Sequence, residues 1–110
     1  MSKVNMNEVL VDINGEPLIK DAADGSEEDL TVGMVFVNAL LHPRNEDEHT
    51  TGEMKLARFN LAQTINGAKE PIEVADADRA LLKKLVNKVY PALYVGQVYK
   101  ILDREGQKGE

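Results

Sequence analysis

The chain contains no cysteine and no tryptophan, and its aromatics are three tyrosines and two phenylalanines. Without a thiol there is no disulfide framework, no thiolate zinc site and no cysteine nucleophile. Serine is nearly absent. Ser2 and Ser26 are the whole supply, and neither falls on the strand-to-helix elbow that a serine hydrolase needs. The eight glycines are scattered, with no phosphate-cradling loop ahead of a helical segment. No apolar run nears the roughly 18 residues of a membrane span. The opening MSKVNMNEVL lacks a signal-peptide layout, so the cytosol is the expected compartment.

What is present fits a single α+β domain of 110 residues, 43% hydrophobic and 29% charged. The net charge of −6 is unevenly spread: residues 1–53 hold 12 acidic and 3 basic side chains, residues 54–110 hold 7 and 10. Two acidic runs dominate the first half: Asp21, Asp24, Glu27, Glu28 and Asp29, then Glu46, Asp47 and Glu48. Both read as solvated loops. The balance opposes general DNA binding and suits a basic protein partner or antiparallel self-association.

The start reads as a β-hairpin spanning residues 1–20. Val9–Ile13 and Glu16–Lys20 flank Asn14-Gly15, a favoured two-residue turn that sets Val11 opposite Leu18 and Leu10 opposite Ile19. Pro17 points to an edge strand. Residues 21–30 read as an acidic linker, and Pro71–Val74 as a third strand beside the hairpin. The helical part covers residues 31–102. Thr31 caps a helix over Val32–Leu41, which His42-Pro43 stops. Thr50 and Glu53 form a capping box for a helix over 51–65, with Met54, Ala57, Leu61 and Ile65 as its buried stripe, widened by Leu56, Phe59 and Ala62. Gly67 then ends that helix with positive φ. Asp76 caps a third helix over 77–89, which buries Leu81, Leu82, Leu85, Val86 and Val89. Pro91 opens a fourth over 91–102, where Gly96 would let a neighbouring helix approach. Residues 103–110 read as a frayed tail. The architecture is a small hairpin or three-stranded sheet packed on about four short helices.

Little here resembles catalytic machinery, and no enzyme activity or cofactor is expected. His42 and His49 bracket three carboxylates, but their spacing fits neither a calcium loop nor a helical zinc pair, so no metal is expected. Two surface candidates remain. Arg79, Lys83, Lys84 and Lys88 form a turn-spaced basic stripe of the kind that lies beside phosphates. Tyr90, Tyr94 and Tyr99 gather all three tyrosines within ten residues, a composition suited to a partner-binding patch.

Three segments together, LTVGMVFVNALLHP, GEMKLARFNLAQTINGAKEPIEV and ADRALLKKLVNKVYPALYVGQVYKIL, resemble a group of small proteins of tailed bacteriophages and prophages. The closing Tyr90-Pro91 and Val95-Gly96-Gln97 pattern carries much of this likeness. The resemblance implies a viral or prophage product made in the bacterial host cytoplasm. It brings no catalytic residues. The reading is a non-enzymatic accessory protein that works by protein–protein interaction, in host-protein regulation or particle assembly, through Tyr90, Tyr94 and Tyr99. The alternatives are a nucleic-acid-associated regulator using Arg79, Lys83, Lys84 and Lys88, and an acidic DNA mimic.

Overall fold

The structure, a computed structural model, describes residues 3–21, 25–42 and 51–108. It is an α+β fold with two antiparallel two-stranded sheets and four helices. Strand β1 (Lys3–Val4) pairs with β4 (Ile72–Glu73), and β2 (Ile19–Asp21) pairs with β3 (Glu27–Asp29). The helices are α1 (Val32–Leu41), α2 (Gly52–Asn66), α3 (Asp76–Val89) and α4 (Ala92–Lys108).

The N-terminal hairpin forms, one residue out of the expected register. Val11 bridges Pro17 rather than Leu18. The cause is Asp12. Its carboxylate accepts the backbone N–H groups of Asn14 (2.8 Å) and Glu16 (3.0 Å), while its carbonyl accepts from Gly15 N–H. This builds a three-residue loop in which Gly15 alone carries positive φ, at 88°. Pro17 fits because the bonds on either side of it, Asp12 N–H to Glu16 and Leu18 N–H to Leu10, make Val11 and Pro17 a non-hydrogen-bonded pair. A backbone N–H at position 17 would point away from the ladder in any case.

Three chain segments then close on one another. Leu10 N–H donates to Leu30, Leu30 N–H to Leu18 and Leu18 N–H to Leu10, at 2.8–2.9 Å. The stretch expected to be an acidic linker therefore carries paired strand at both ends, β2 and β3. The expected third strand, around Ile72, pairs with β1 and not with the hairpin. Val11, whose N–H and C=O face away from Pro17, is satisfied by a side chain 86 residues away: Gln97 accepts from Val11 N–H at 2.9 Å and donates to its carbonyl at 2.7 Å. Gln97 Nε2 also donates to Leu93 O, which holds the amide in place.

Helix α1 keeps the expected bounds. Thr31 Oγ1 accepts from Met34 N–H, and extended backbone at His42 ends the helix. Val32, Val35, Phe36, Ala39 and Leu40 are all buried. Gly33 explains itself here. A Cβ at this position would lie 2.7 Å from the Met6 carbonyl oxygen, the atom that accepts Gly33 N–H. Only a glycine lets the N-terminal segment lie this close to α1.

The other helices depart from expectation at their ends. Helix α2 is capped by Thr51, which accepts from Met54 N–H, so Glu53 sits in the first turn; Thr50 lies outside the described residues. Its stripe is buried only at Ala62 and Ile65, because the core meets the C-terminal half of the helix. Met54, Leu56 and Phe59 are about half exposed. Gly67 is the C-cap as placed, but with φ −89°, in the right-handed region. A 3₁₀-like bond from Ala68 N–H to Ile65 closes the end without a left-handed residue. Helix α3 begins one residue early: Ala75 is the N-cap, and Asp76 and Asp78 face the positive end of the helix dipole from the first turn. Its apolar face buries Leu82, Leu85 and Val86, with Leu81 and Val89 half-buried. Helix α4 runs on to Lys108, so residues 103–108 are helical rather than frayed. Gly96 lies opposite the buried Val98 and Leu102, with nothing within 4 Å of a Cβ placed there, so it brings no helix closer.

Three outcomes follow for stability. Gly33→Ala destabilises by about 1–3 kcal/mol in urea unfolding, because the new methyl meets backbone, whereas Gly96→Ala stabilises by about 0.5–1 kcal/mol. Gln97→Leu leaves both outward backbone groups of Val11 without protein partners and costs about 1–3 kcal/mol by the same measurement.

Candidate functional site: a groove between β2 and α1

The three tyrosines do not form one patch. Tyr90 ends α3, Tyr94 lies in the first turn of α4, and their rings meet with centroids 5.0 Å apart, tilted by 39°. Pro91 between them stops α3 and restarts the chain as α4, its carbonyl accepting from Tyr94 and Val95 N–H. Tyr99 lies on another side of α4, where the Lys83 ammonium sits 5.3 Å from its ring centre. All three tyrosines are half-buried against the core.

Tyr90 and Tyr94 close one end of a groove of about 320 Å³. Met34 and Asn38, one turn apart on α1, form its helical wall. Ile19, Lys20 and Leu30 form the strand wall. A second hollow of about 220 Å³ shares Lys20, Met34 and Asn38 and continues along α1 to Leu41, with Val37 and Asn66 beside it. The walls are mainly apolar, with a few polar groups between them. Asn38 Nδ2 donates to the Tyr90 hydroxyl at 2.8 Å, leaving the phenolic proton available to a ligand. Burial pushes the Tyr90 phenol above its ordinary value; the Asn38 hydrogen bond pulls the other way, and the neighbouring Tyr94 adds to the rise.

The basic stripe is broken up by the packing. Arg79 is turned inward: Nε donates to Val74 O at 3.0 Å, Nη1 donates to Leu102 O, and Nη2 is enclosed without a partner. Lys83 is half-buried and ion-paired with Asp103. Lys84 and Lys88 are the exposed members. The first turn of α3 packs Arg79 against the preceding β4 segment and α4, which a helical wheel of α3 alone does not reveal. His42 is exposed at the end of α1, while His49 and Glu46–Glu48 lie outside the described residues. Among the described residues no group of His, Asp and Glu is arranged to hold a metal ion, and no helix is long and apolar enough to cross a membrane.

The strand wall, Met34 and Asn38 are the parts of this site that sequence reasoning missed. Asn38 left one signal: it interrupts the otherwise apolar VGMVFVNALL. No family model, curated protein or solved structure matches the chain.

The raised Tyr90 phenol has a pH consequence. The unfolded chain ionises first, so the contribution of Tyr90 to stability is constant below about pH 10 and falls as pH rises beyond it. In alkaline unfolding titrations Tyr90→Phe flattens that fall, and removing Tyr90 takes a late-titrating component out of the phenolate absorbance of the native protein.

Proposed function

We propose that the protein is a non-enzymatic binding module that docks a protein partner in the groove closed by Tyr90 and Tyr94. The observation that carries this reading is the groove itself. It is an apolar trough flanked by a helix and a strand, with two tyrosine rings at its end, the Tyr90 hydroxyl held by Asn38 as a fixed polar point and Lys20 on the strand wall. Half-buried tyrosines offer contact area at little cost in side-chain entropy. The acidic first half, including the exposed Glu27, Glu28 and Asp29 on β3, steers a basic partner and acts on association rate more than on contact energy. In the phage or prophage setting that the sequence resemblance implies, the partner is a host or phage protein, and the role is host regulation or particle assembly. Nucleic-acid binding through α3 has less support, since Arg79 and Lys83 are engaged within the fold.

Affinity capture from bacterial lysate, paired with thermal melts, tests this. Tyr94→Ser and Asn38→Ala lose the co-purifying protein while melting within a few degrees of wild type. Tyr99→Ser and the pair Lys84→Glu with Lys88→Glu retain it. Retention by both groove variants would remove the groove from consideration.

A further inference from the structure

The groove has a strand for one wall, and that strand has an edge that no described residue pairs with. In the β2–β3 ladder Ile19 stands opposite Asp29, and Leu30 N–H bonds Leu18 O at 2.8 Å in the same register. Hydrogen-bonded and non-bonded pairs alternate, so the N–H and C=O of Ile19 point away from β3. Neither has a partner among the described residues. Ile19 and Lys20, neighbours whose side chains leave opposite faces of the strand, both line the groove. A hollow that touches both faces runs along the strand's edge. Across the hollow from that edge stand Met34 and Asn38 of α1, and a sheet edge beside an apolar groove is the setting in which an extended peptide adds as a strand.

We infer that the groove takes an extended segment of a basic partner as an added strand on β2, apolar residues alternating with Lys or Arg. This rests on the groove being the docking site. The register sets the alternation. Leu18 and Leu30 pack against the core, so every second side chain of the added strand enters the apolar trough toward Met34 and Tyr94. The intervening side chains lie on the outer face, beside the exposed Ile19 and toward Asp29 and Glu27, which are exposed on that same face of β3. Two strand spacings separate them from those carboxylates, about 10 Å, close to the Debye length at moderate salt. Among the described residues Lys20 is the charged side chain lining either hollow, so the cationic side chains of the added strand belong on the outer face and its apolar ones in the trough.

The test uses random dodecapeptides displayed and selected on the immobilised full chain, with the selected sequences then synthesised. Selection enriches for apolar residues alternating with Lys or Arg. Bound peptide slows hydrogen exchange at the Ile19 amide. N-methylation of the peptide backbone weakens binding roughly tenfold at every second position and little between them. The pair Glu27→Gln with Asp29→Asn lowers affinity severalfold at low salt and little at high salt. Peptides that lose binding on Tyr94→Ser, yet leave Ile19 exchange unchanged and show no two-residue period, would overturn the added strand and leave the groove standing. Selection yielding no peptide sensitive to Tyr94→Ser would overturn both.

Discussion

Three backbone hydrogen bonds, joining Leu10, Leu18 and Leu30 in a ring, hold the first third of the molecule in place. Strands of two or three residues cannot stabilise themselves as hairpins. Here each segment donates to one neighbour and accepts from the other, so none is left with a buried, unpaired polar backbone at the junction. The ring fixes where α1 starts, since Leu30 belongs to it and Thr31 caps the helix. It also fixes the free edge of β2, because Ile19 follows Leu18 directly and so must turn its N–H outward. The core under the ring is wholly apolar, built from Val4, Met6 and Leu10 against Val32, Phe36, Leu82, Leu102 and their neighbours.

Local signals in the chain specify the helices well and the strand pairings poorly. The bounds of α1 follow from its caps, Thr31 and His42, both of which act within one turn. The hairpin register does not follow from Asn14-Gly15 alone, because Asp12, two residues upstream, competes for the turn with its own carboxylate and adds a residue to the loop. The partner of Ile72 is a distant segment, Val4, and nothing near either residue announces the other. Gly33 and Gly96 look alike in sequence. Which one permits close approach depends on the path of the N-terminal segment past α1.

The site was legible in half. Tyr90 and Tyr94 do gather at the break made by Pro91, but Tyr99 turns to another face of α4 and joins Lys83. A cluster in sequence is a cluster in space only where helical phase allows it. The basic stripe fails for a related reason. Arg79 occupies the first turn of α3, beside the segment that leads into it, so its guanidinium finds Val74 and Leu102 carbonyls before it finds solvent. The strand wall of the groove is hidden in the sequence because Ile19 and Lys20 fall at the end of the hairpin signal while Leu30 closes the acidic stretch, and nothing local to either announces their pairing.

The clasp between Gln97 and Val11 gives the fold an order in time. During synthesis Val11 leaves the ribosome 86 residues before its side-chain partner, a delay of about 4–17 s at ordinary elongation rates. Throughout that interval the outer edge of the first hairpin has only water for a partner, as do Lys3 and Val4 until Ile72 and Glu73 follow. The nascent chain thus carries its first hairpin unfinished until α4 arrives. The stretch between residues 11 and 97 is therefore the window in which that hairpin edge is open to other strands.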